Sequence, residues 1–69
     1  MNRVVTIDMP KVKEMTYRKL WTWADLAKQA GITQPTIYAL QAGRRKASQR
    51  TLFKLAAALD VDPSEIIKE

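Results

Sequence analysis

A glycine followed after one residue by a helix-capping threonine is the feature that most constrains this chain. Residues 23–30, WADLAKQA, have the apolar spacing of a helix, and Gly31 suits the left-handed conformation in which many helices end. Only Ile32 separates this glycine from Thr33, a preferred N-cap residue, and Pro35 fits the first turn of the helix that follows. The sequence therefore predicts two short helices joined by about three residues, which must cross at a steep angle.

N-cap residues mark the starts of three further helices. Thr22 precedes the helix that ends at Gly31, and Asp25 follows it three positions later in a variant of the capping box. Ser48 caps a fourth helix. Asp62 and Glu65 form a further capping box around a proline and begin a short fifth helix.

Apolar spacing defines the remaining helices and a single core. A first helix is predicted over residues 10–20, where no glycine or proline marks its C-terminal end. The third helix is predicted over about residues 34–42, with Gly43 as its stop. The residues predicted to face the core are Val12, Met15, Leu26, Ala27, Ala30, Ile37, Leu40, Leu52, Leu55, Ala56, Leu59, Ile66 and, among the aromatic residues, Trp21.

The N-terminal segment allows two interpretations. Apolar and other residues alternate over residues 4–9, VVTIDM, so that Val5, Ile7 and Met9 share one face. This pattern favours a short strand that ends at Pro10. Asp8 can instead cap a helix that begins near Met9. An isolated strand finds no sheet in an otherwise helical chain, so we expect it to pair with the same strand of a second copy. We accordingly divide the chain into an arm, residues 1–11, and a domain, residues 12–69.

Composition restricts the possible functions. The chain has 69 residues, enough for one small domain and too few for an additional effector domain. It contains no cysteine and no histidine, which removes disulfides, the usual zinc ligands and the commonest general base. We therefore expect no cofactor, no metal and no enzymatic activity. The sequence shows no apolar run of about 18 residues and no secretory signal, so a cytoplasmic, nucleoid-associated protein without membrane contact is expected.

Positive charge is segregated along the chain. No acidic residue lies between Asp25 and Asp60, a stretch that carries six lysines and arginines, whereas the other cations are balanced by acids. Such a block is typical of a face that binds phosphates. It also suits an acidic protein or an anionic membrane surface.

The steep crossing of the second and third helices is the geometry of a helix-turn-helix. The core needs only Ile37 and Leu40 of the third helix, so this helix protrudes, and its leading end is the part that enters a DNA major groove in such motifs. The residues left at that end or on the exposed face are Thr33, Gln34, Thr36, Tyr38 and Ala39.

Four segments in this order resemble the Cro and lambda-repressor type of helix-turn-helix domain, the XRE family. They are TWADLAKQAGI, TQPTIYALQAG, KASQRTLFKLAAALDV and DPSEII, and the likeness covers about residues 12–67. The resemblance implies an all-α fold: a compact, lambda-repressor-like DNA-binding domain of four to five helices, here with a possible short N-terminal β-strand.

The resemblance also implies which residues contact DNA. Gln34 can form paired hydrogen bonds with an adenine edge, and Thr36 offers either a hydroxyl or a methyl group. The expected base-reading residues are Thr33, Gln34, Pro35, Thr36, Tyr38 and Ala39. The expected phosphate-binding residues are Thr22, Trp23, Arg44, Arg45, Lys46 and Arg50.

The chain departs from the family pattern at three places. Trp23 stands where the family usually has a phosphate-binding glutamine; its indole N–H can still donate, but its ring can equally pack. Thr16 and Gln41 stand where many members have an arginine and a glutamate, so we expect a neutral pair there. Leu20 and Asp60 replace glycines that commonly close the first and fourth helices, which predicts displaced helix ends.

Together these features predict a small transcriptional regulator that binds double-stranded DNA sequence-specifically. The recognition helix, about residues 34–42, enters the major groove, and a homodimer binds a palindromic operator without a small-molecule effector domain. The alternative function is a protein-interaction module, such as the antitoxin of a toxin–antitoxin pair, with its apolar surface on the N-terminal strand.

Overall fold

Four helices, one 3-10 turn and a two-stranded sheet make up the computed structural model, which describes residues 3–68. Residues 1 and 2 of the predicted arm and residue 69 of the predicted domain lie outside this range. The elements in chain order are β1 (Val4–Val5), α1 (Met9–Arg18), α2 (Trp23–Ala30), α3 (Gln34–Gln41), β2 (Ala47–Ser48), α4 (Gln49–Leu59) and the 3-10 turn Pro63–Ile66. The predicted helical fold is confirmed, and the sheet is small.

One core holds the helices together. Val12, Leu26, Ile37, Leu55 and Ile66 are the largest fully buried side chains, one from each helix and one from the 3-10 turn. The predicted core residues of α2, α3 and α4 are all buried. Trp21 and Met15 are only partly buried and pack against the outside of this cluster.

All four helices end in the same way. After each helix a residue with positive φ follows, and the next backbone N–H returns to a carbonyl five residues earlier, the arrangement of a Schellman motif. Gly31 and Gly43 take this conformation in α2 and α3, and Leu20 and Asp60 take it at φ 61° and 58° in α1 and α4. Leu20 and Asp60 thus take the conformation that the glycines take elsewhere, so the predicted displacement of these two helix ends is wrong. The regular part of α1 ends at Arg18, two residues before the predicted end at residue 20.

The N-terminal segment is half strand and half helix. Strand β1 covers only Val4–Val5, and α1 begins at Met9 with the Asp8 carboxylate accepting from the backbone N–H of Lys11 at 3.3 Å. The prediction of a strand over residues 4–9 is thus wrong beyond its first part, and the alternative, a helix capped by Asp8, is confirmed. Pro10 lies in the first turn of α1, where its missing N–H is not needed, and does not end a strand.

Strand β1 has partners within its own chain. It pairs antiparallel with β2, Val4 opposite Ser48 and Val5 opposite Ala47. Directly after β1, the extended segment bonds to the C-terminal residues of the chain. The backbone N–H of Asp8 donates to the carbonyl of Ile66, and the carbonyl of Thr6 accepts from the backbone N–H of Lys68, both at 2.9 Å. The expectation that this segment lacks a sheet, and so pairs with a second copy, is wrong because its backbone already pairs with β2 and with residues 66 and 68 of the same chain.

The 3-10 turn closes the fold as its capping box predicted. Asp62 accepts from the backbone N–H of Ser64, and Glu65 accepts from the backbone N–H of Asp62 at 2.8 Å. The Ser64 hydroxyl and then the Ser64 backbone N–H lower the pKa of the Asp62 carboxyl, since both stabilise its charged form. This turn fixes Ile66 in the core.

Candidate nucleic-acid interface

The turn between α2 and α3 has the geometry that the sequence predicts. Gly31 adopts φ 71°, and the backbone N–H of Ile32 donates to Ala27 at 3.0 Å, so α2 ends sharply. Thr33 lies in an extended conformation and caps α3 with its hydroxyl oxygen. Two helices that pack against each other are thus joined by three residues, which is a helix-turn-helix.

The first turn of α3 presents side chains outward. The hydroxyl of Thr33 accepts from the backbone N–H of Thr36 at 3.4 Å and lies 2.9 Å from the Thr36 hydroxyl. These hydrogen bonds hold both threonines in place and do not involve Gln34. Gln34 and Pro35 are exposed at this end of the helix, so the Gln34 amide is available to a base edge.

Farther along α3 the two faces separate clearly. Ile37 and Leu40 are buried, whereas Tyr38 is 46% exposed and Ala39 is half-buried. Of the predicted base-reading residues, Thr33, Gln34, Pro35 and Tyr38 are therefore exposed, and Thr36 and Ala39 are half-buried.

The cationic segment after α3 is held at both of its ends. At the start, Gly43 has φ 74° and the backbone N–H of Arg44 donates to Ala39 at 3.0 Å. At the other end, Ala47 is 1% exposed and pairs with Val5 across the sheet. The intervening Arg44, Arg45 and Lys46 are all exposed. The N-terminal strand therefore helps to position the cations.

Arg50 belongs to a different element from these three cations. It lies in the first turn of α4, after the N-cap residue Ser48, and it is exposed. The N-terminal end of a helix carries a partial positive charge and free N–H groups, both of which favour an anion. Arg50 thus extends the positive surface from the loop onto α4.

The positive charge of this region has no acidic partner in the structure. Among residues 3–68, the one ion pair joins Arg18 and Glu14 within α1, at 2.7 Å, away from the acid-free block. The cations of that block are Lys28, Arg44, Arg45, Lys46, Arg50 and Lys54. Charge that the fold does not pair is free to attract a polyanion.

The N-terminal end of α2 is less open to phosphate than the sequence suggests. The capping box of Thr22 and Asp25 uses the Thr22 hydroxyl and backbone N–H, and it places a carboxylate at this helix end. The indole N–H of Trp23 donates to the side-chain carbonyl of Gln41 at 3.0 Å. The two predicted phosphate contacts, Thr22 and Trp23, therefore already use their donors within the chain.

The Trp23–Gln41 contact also corrects an expected pairing. Gln41 was expected opposite Thr16, but Thr16 is buried and donates its hydroxyl to the Val12 carbonyl at 2.7 Å. Gln41 instead ties the end of α3 to the start of α2. A signal was present in the sequence, because Trp23 and Gln41 are both departures from the family pattern.

Comparison with known proteins identifies the family. The family model HTH_3, described as helix-turn-helix, matches residues 15–66, which is more than half of the chain. The chain belongs to the XRE-type helix-turn-helix family. Members of this family are DNA-binding transcription regulators. None of the curated protein sequences compared matches the chain.

Solved structures share the fold. The restriction-modification controller protein C.AhdI from Aeromonas hydrophila is 28% identical with a TM-score of 0.76, covering 83% of this chain and 86% of that protein. A hypothetical transcription factor, NHTF, from Neisseria is 24% identical with a TM-score of 0.78, covering 83% and 64%. SinR, a master regulator for biofilm formation solved in complex with DNA, is 23% identical with a TM-score of 0.75, covering 81% and 90%. The last two likenesses concern the fold alone.

Within the part of the chain that the structure describes, no helix is both long and apolar enough to cross a lipid bilayer.

Proposed function

We propose that this protein is a sequence-specific regulator that binds double-stranded DNA by placing α3 in the major groove. The observation that carries the proposal is the position of α3, whose outer surface of Gln34, Pro35, Tyr38 and Ala39 is followed closely by three cations that form no ion pair within residues 3–68. The hydrogen bonds that cap α3 join Thr33 and Thr36 and do not involve Gln34, so the exposed amide of Gln34 is not needed to cap the helix. C.AhdI, the restriction-modification controller at 28% identity, supports a regulatory role for this fold.

Base recognition falls mainly to the first turn of α3. Gln34 is exposed and can pair with the N6 and N7 edge of an adenine. The hydroxyls of Thr33 and Thr36 are 2.9 Å apart, so Thr36 offers chiefly its methyl group to a thymine unless the two hydroxyls separate. Pro35 and Ala39 supply apolar contacts, and Tyr38 reaches toward the sugar-phosphate wall.

Phosphate binding falls mainly to Arg44, Arg45, Lys46 and Arg50. All four are exposed, and none of them has an acidic partner in the structure from Arg3 to Lys68. Thr22 and Trp23 are weaker contacts in this proposal, since the Asp25 carboxylate and the Trp23–Gln41 hydrogen bond compete with a phosphate at that helix end.

Two copies of the protein bind one palindromic operator in this proposal. One short recognition helix reads only a few base pairs, and two-fold assembly is the usual way in which helix-turn-helix proteins gain affinity. The centres of the half-sites are expected about 34 Å apart, or a multiple of that distance. Selection of bound sites from random duplex DNA tests this point, and sites without dyad symmetry bound by a single protomer would contradict it.

The variant Gln34→Ala tests base recognition. We expect a loss of about 1–3 kcal/mol of binding free energy on the best site and little loss on random DNA, with an unchanged salt slope. Fluorescence anisotropy on a cognate and a scrambled duplex across a salt series measures both quantities. Gln29→Ala, an exposed glutamine on α2, is the matched control. Equal weakening on both duplexes would show that Gln34 does not read a base.

The variant Arg45→Ala tests phosphate binding in the same titrations. We expect it to weaken the cognate and the scrambled duplex alike and to reduce the salt slope by about one unit. Lys11→Ala, an exposed cation on α1, is the control for a general charge effect. An unchanged slope for Arg45→Ala would remove this arginine from the proposed interface.

The alternative, a protein-interaction module, has less support. Its apolar surface was expected on the N-terminal strand, where Val4 is 60% exposed but Ile7 and Met9 are buried in the core. DNA binding weakens steeply with rising salt, whereas an apolar protein interface does not, so the same salt series separates the two functions.

A further inference from the structure

The outer face of α4 carries an apolar centre between two ends of opposite charge. Phe53 is 52% exposed, and Ala57 follows one turn later on the same face and is also exposed. Arg50 lies one turn before Phe53, and Asp60 lies just beyond the last turn. We call these four residues the α4 stripe.

The N-terminal half of the α4 stripe borders an open groove. This groove has a volume of about 730 Å³, and its charged lining consists of Arg3, Arg50 and Lys54, with Phe53 and Ala57 as apolar members. The groove thus has positive charge and an exposed aromatic ring, and none of its lining residues is acidic. Its complement is a surface with a small apolar residue followed by a negative charge.

The C-terminal half of the same stripe has that composition. Ala57 is followed at three residues by Asp60, just as Arg50 is followed at three residues by Phe53. When two copies of α4 run antiparallel, Phe53 therefore meets Ala57 of the other copy in the same register that brings Arg50 to Asp60. A parallel arrangement would instead place Arg50 against Arg50, which is repulsive.

We propose that α4 packs against α4 of a second copy around a two-fold axis, with the α4 stripe as the interface. Each ring of Phe53 packs over Ala57 of the other copy, and each Asp60 enters the groove beside Arg50 and Arg3. The surface is self-complementary, as a two-fold interface requires. This interface rests on the proposed homodimer and assigns the surface that forms it.

The proposed dimer is weak and shares a residue with the DNA interface. One helix face per copy is at the low end of specific interfaces, below about 1,200 Å² in total. Lys54 of the two copies comes close to the axis, which further lowers the affinity. Arg50 is also a proposed phosphate contact, so a bound phosphate and Asp60 compete for it, while Arg3 remains for the carboxylate.

Cross-linking tests the register directly, because the chain contains no cysteine. We expect a mixture of Arg50→Cys and Asp60→Cys to form a disulfide-linked dimer about tenfold faster than either variant alone, without DNA. Within an antiparallel pair, two copies of residue 50 lie about 15 Å apart along the helix, too far for a disulfide. A mixture of Arg50→Cys with Gln29→Cys, which places the second thiol on α2, is the matched control.

Sedimentation equilibrium of the cysteine-free chain tests the apolar contact. We expect Phe53→Ala to weaken self-association about tenfold, since both copies lose the ring, and circular dichroism to show an unchanged helical fold. Cross-linking of Arg50→Cys alone at the rate of the mixture, or an unaltered association of Phe53→Ala, would overturn the α4 interface. A wild-type chain that stays monomeric at millimolar concentration would overturn it as well.

Failure of this interface and failure of the proposed function are separable. A dimer on the cognate duplex, together with no cross-linking in the mixture, overturns only the α4 interface. A chain that self-associates through α4 but does not bind duplex DNA overturns the proposed function and leaves the interface in place.

Discussion

Leu20 is a large apolar residue in a conformation that favours glycine. Its φ is 61°, and its side chain is 87% exposed, so it gains almost no burial in exchange for the left-handed backbone. We expect Leu20→Gly to raise the free energy of unfolding by about 0.5–1 kcal/mol, because relief of the strain exceeds the added entropy of the unfolded chain. Urea denaturation measures this change. Lys19→Gly, at a right-handed position, is the control and should destabilise; a destabilised Leu20→Gly would contradict the prediction.

Single residues show where sequence-based prediction succeeds. The caps Thr22, Thr33 and Ser48 each accept from a backbone N–H three residues later, so a local pattern is sufficient to find them. The partner of Gln41 was missed because Trp23 lies 18 residues away and the contact depends on how α2 and α3 cross. Asp60 tolerates the left-handed conformation, since its short polar side chain is among those that adopt it.

At the scale of elements, the helices were predictable and the sheet was not. Helix α4 repeats its buried apolar residues from Leu52 to Leu59, which is about two turns, so errors at its ends do not hide the pattern. The shorter helices α2 and α3 are each marked instead by an N-cap threonine and a closing glycine. Strands β1 and β2 have two residues each and pair across more than 40 positions of sequence. Nothing in so short an alternation specifies a partner. The same pairing anchors the cationic segment, so the least predictable element supports the proposed phosphate contacts.

The N-terminal segment is therefore expected to stabilise the folded monomer. Ile7 is 6% exposed and lies in the core cluster, whereas Val4 on the same segment is 60% exposed. We expect Ile7→Ala to lower the free energy of unfolding by about 2–4 kcal/mol through lost burial and the cavity left behind. Val4→Ala is the matched control, with a change within about 0.5 kcal/mol. Chemical denaturation checks both, and equal small effects would mean that the segment does not belong to the core.

For the whole molecule, the segregated positive charge affects the stability of the fold and the affinity for DNA in opposite ways. The chain has a net charge of +5 at pH 7, and its acid-free block contains no ion pair in the described structure. Like charges that the fold holds close together repel one another, and they attract phosphates for the same reason. Affinity for DNA and stability of the free protein should therefore respond to salt in opposite directions.

Raising sodium chloride from about 0.05 to 0.5 M should increase the melting temperature of the free protein by about 2–4 °C, because screening weakens the repulsion. Over the same range, log affinity for duplex DNA should fall with a slope of about −0.9 for each phosphate contact. Circular dichroism melts and anisotropy titrations in identical buffers measure the two responses. The double variant Arg44→Gln/Arg45→Gln should show both responses in reduced form, since it removes two of the cations that produce them. A melting temperature that falls with salt would mean that unrecognised ion pairs stabilise the fold, and the cations would then not be free for DNA.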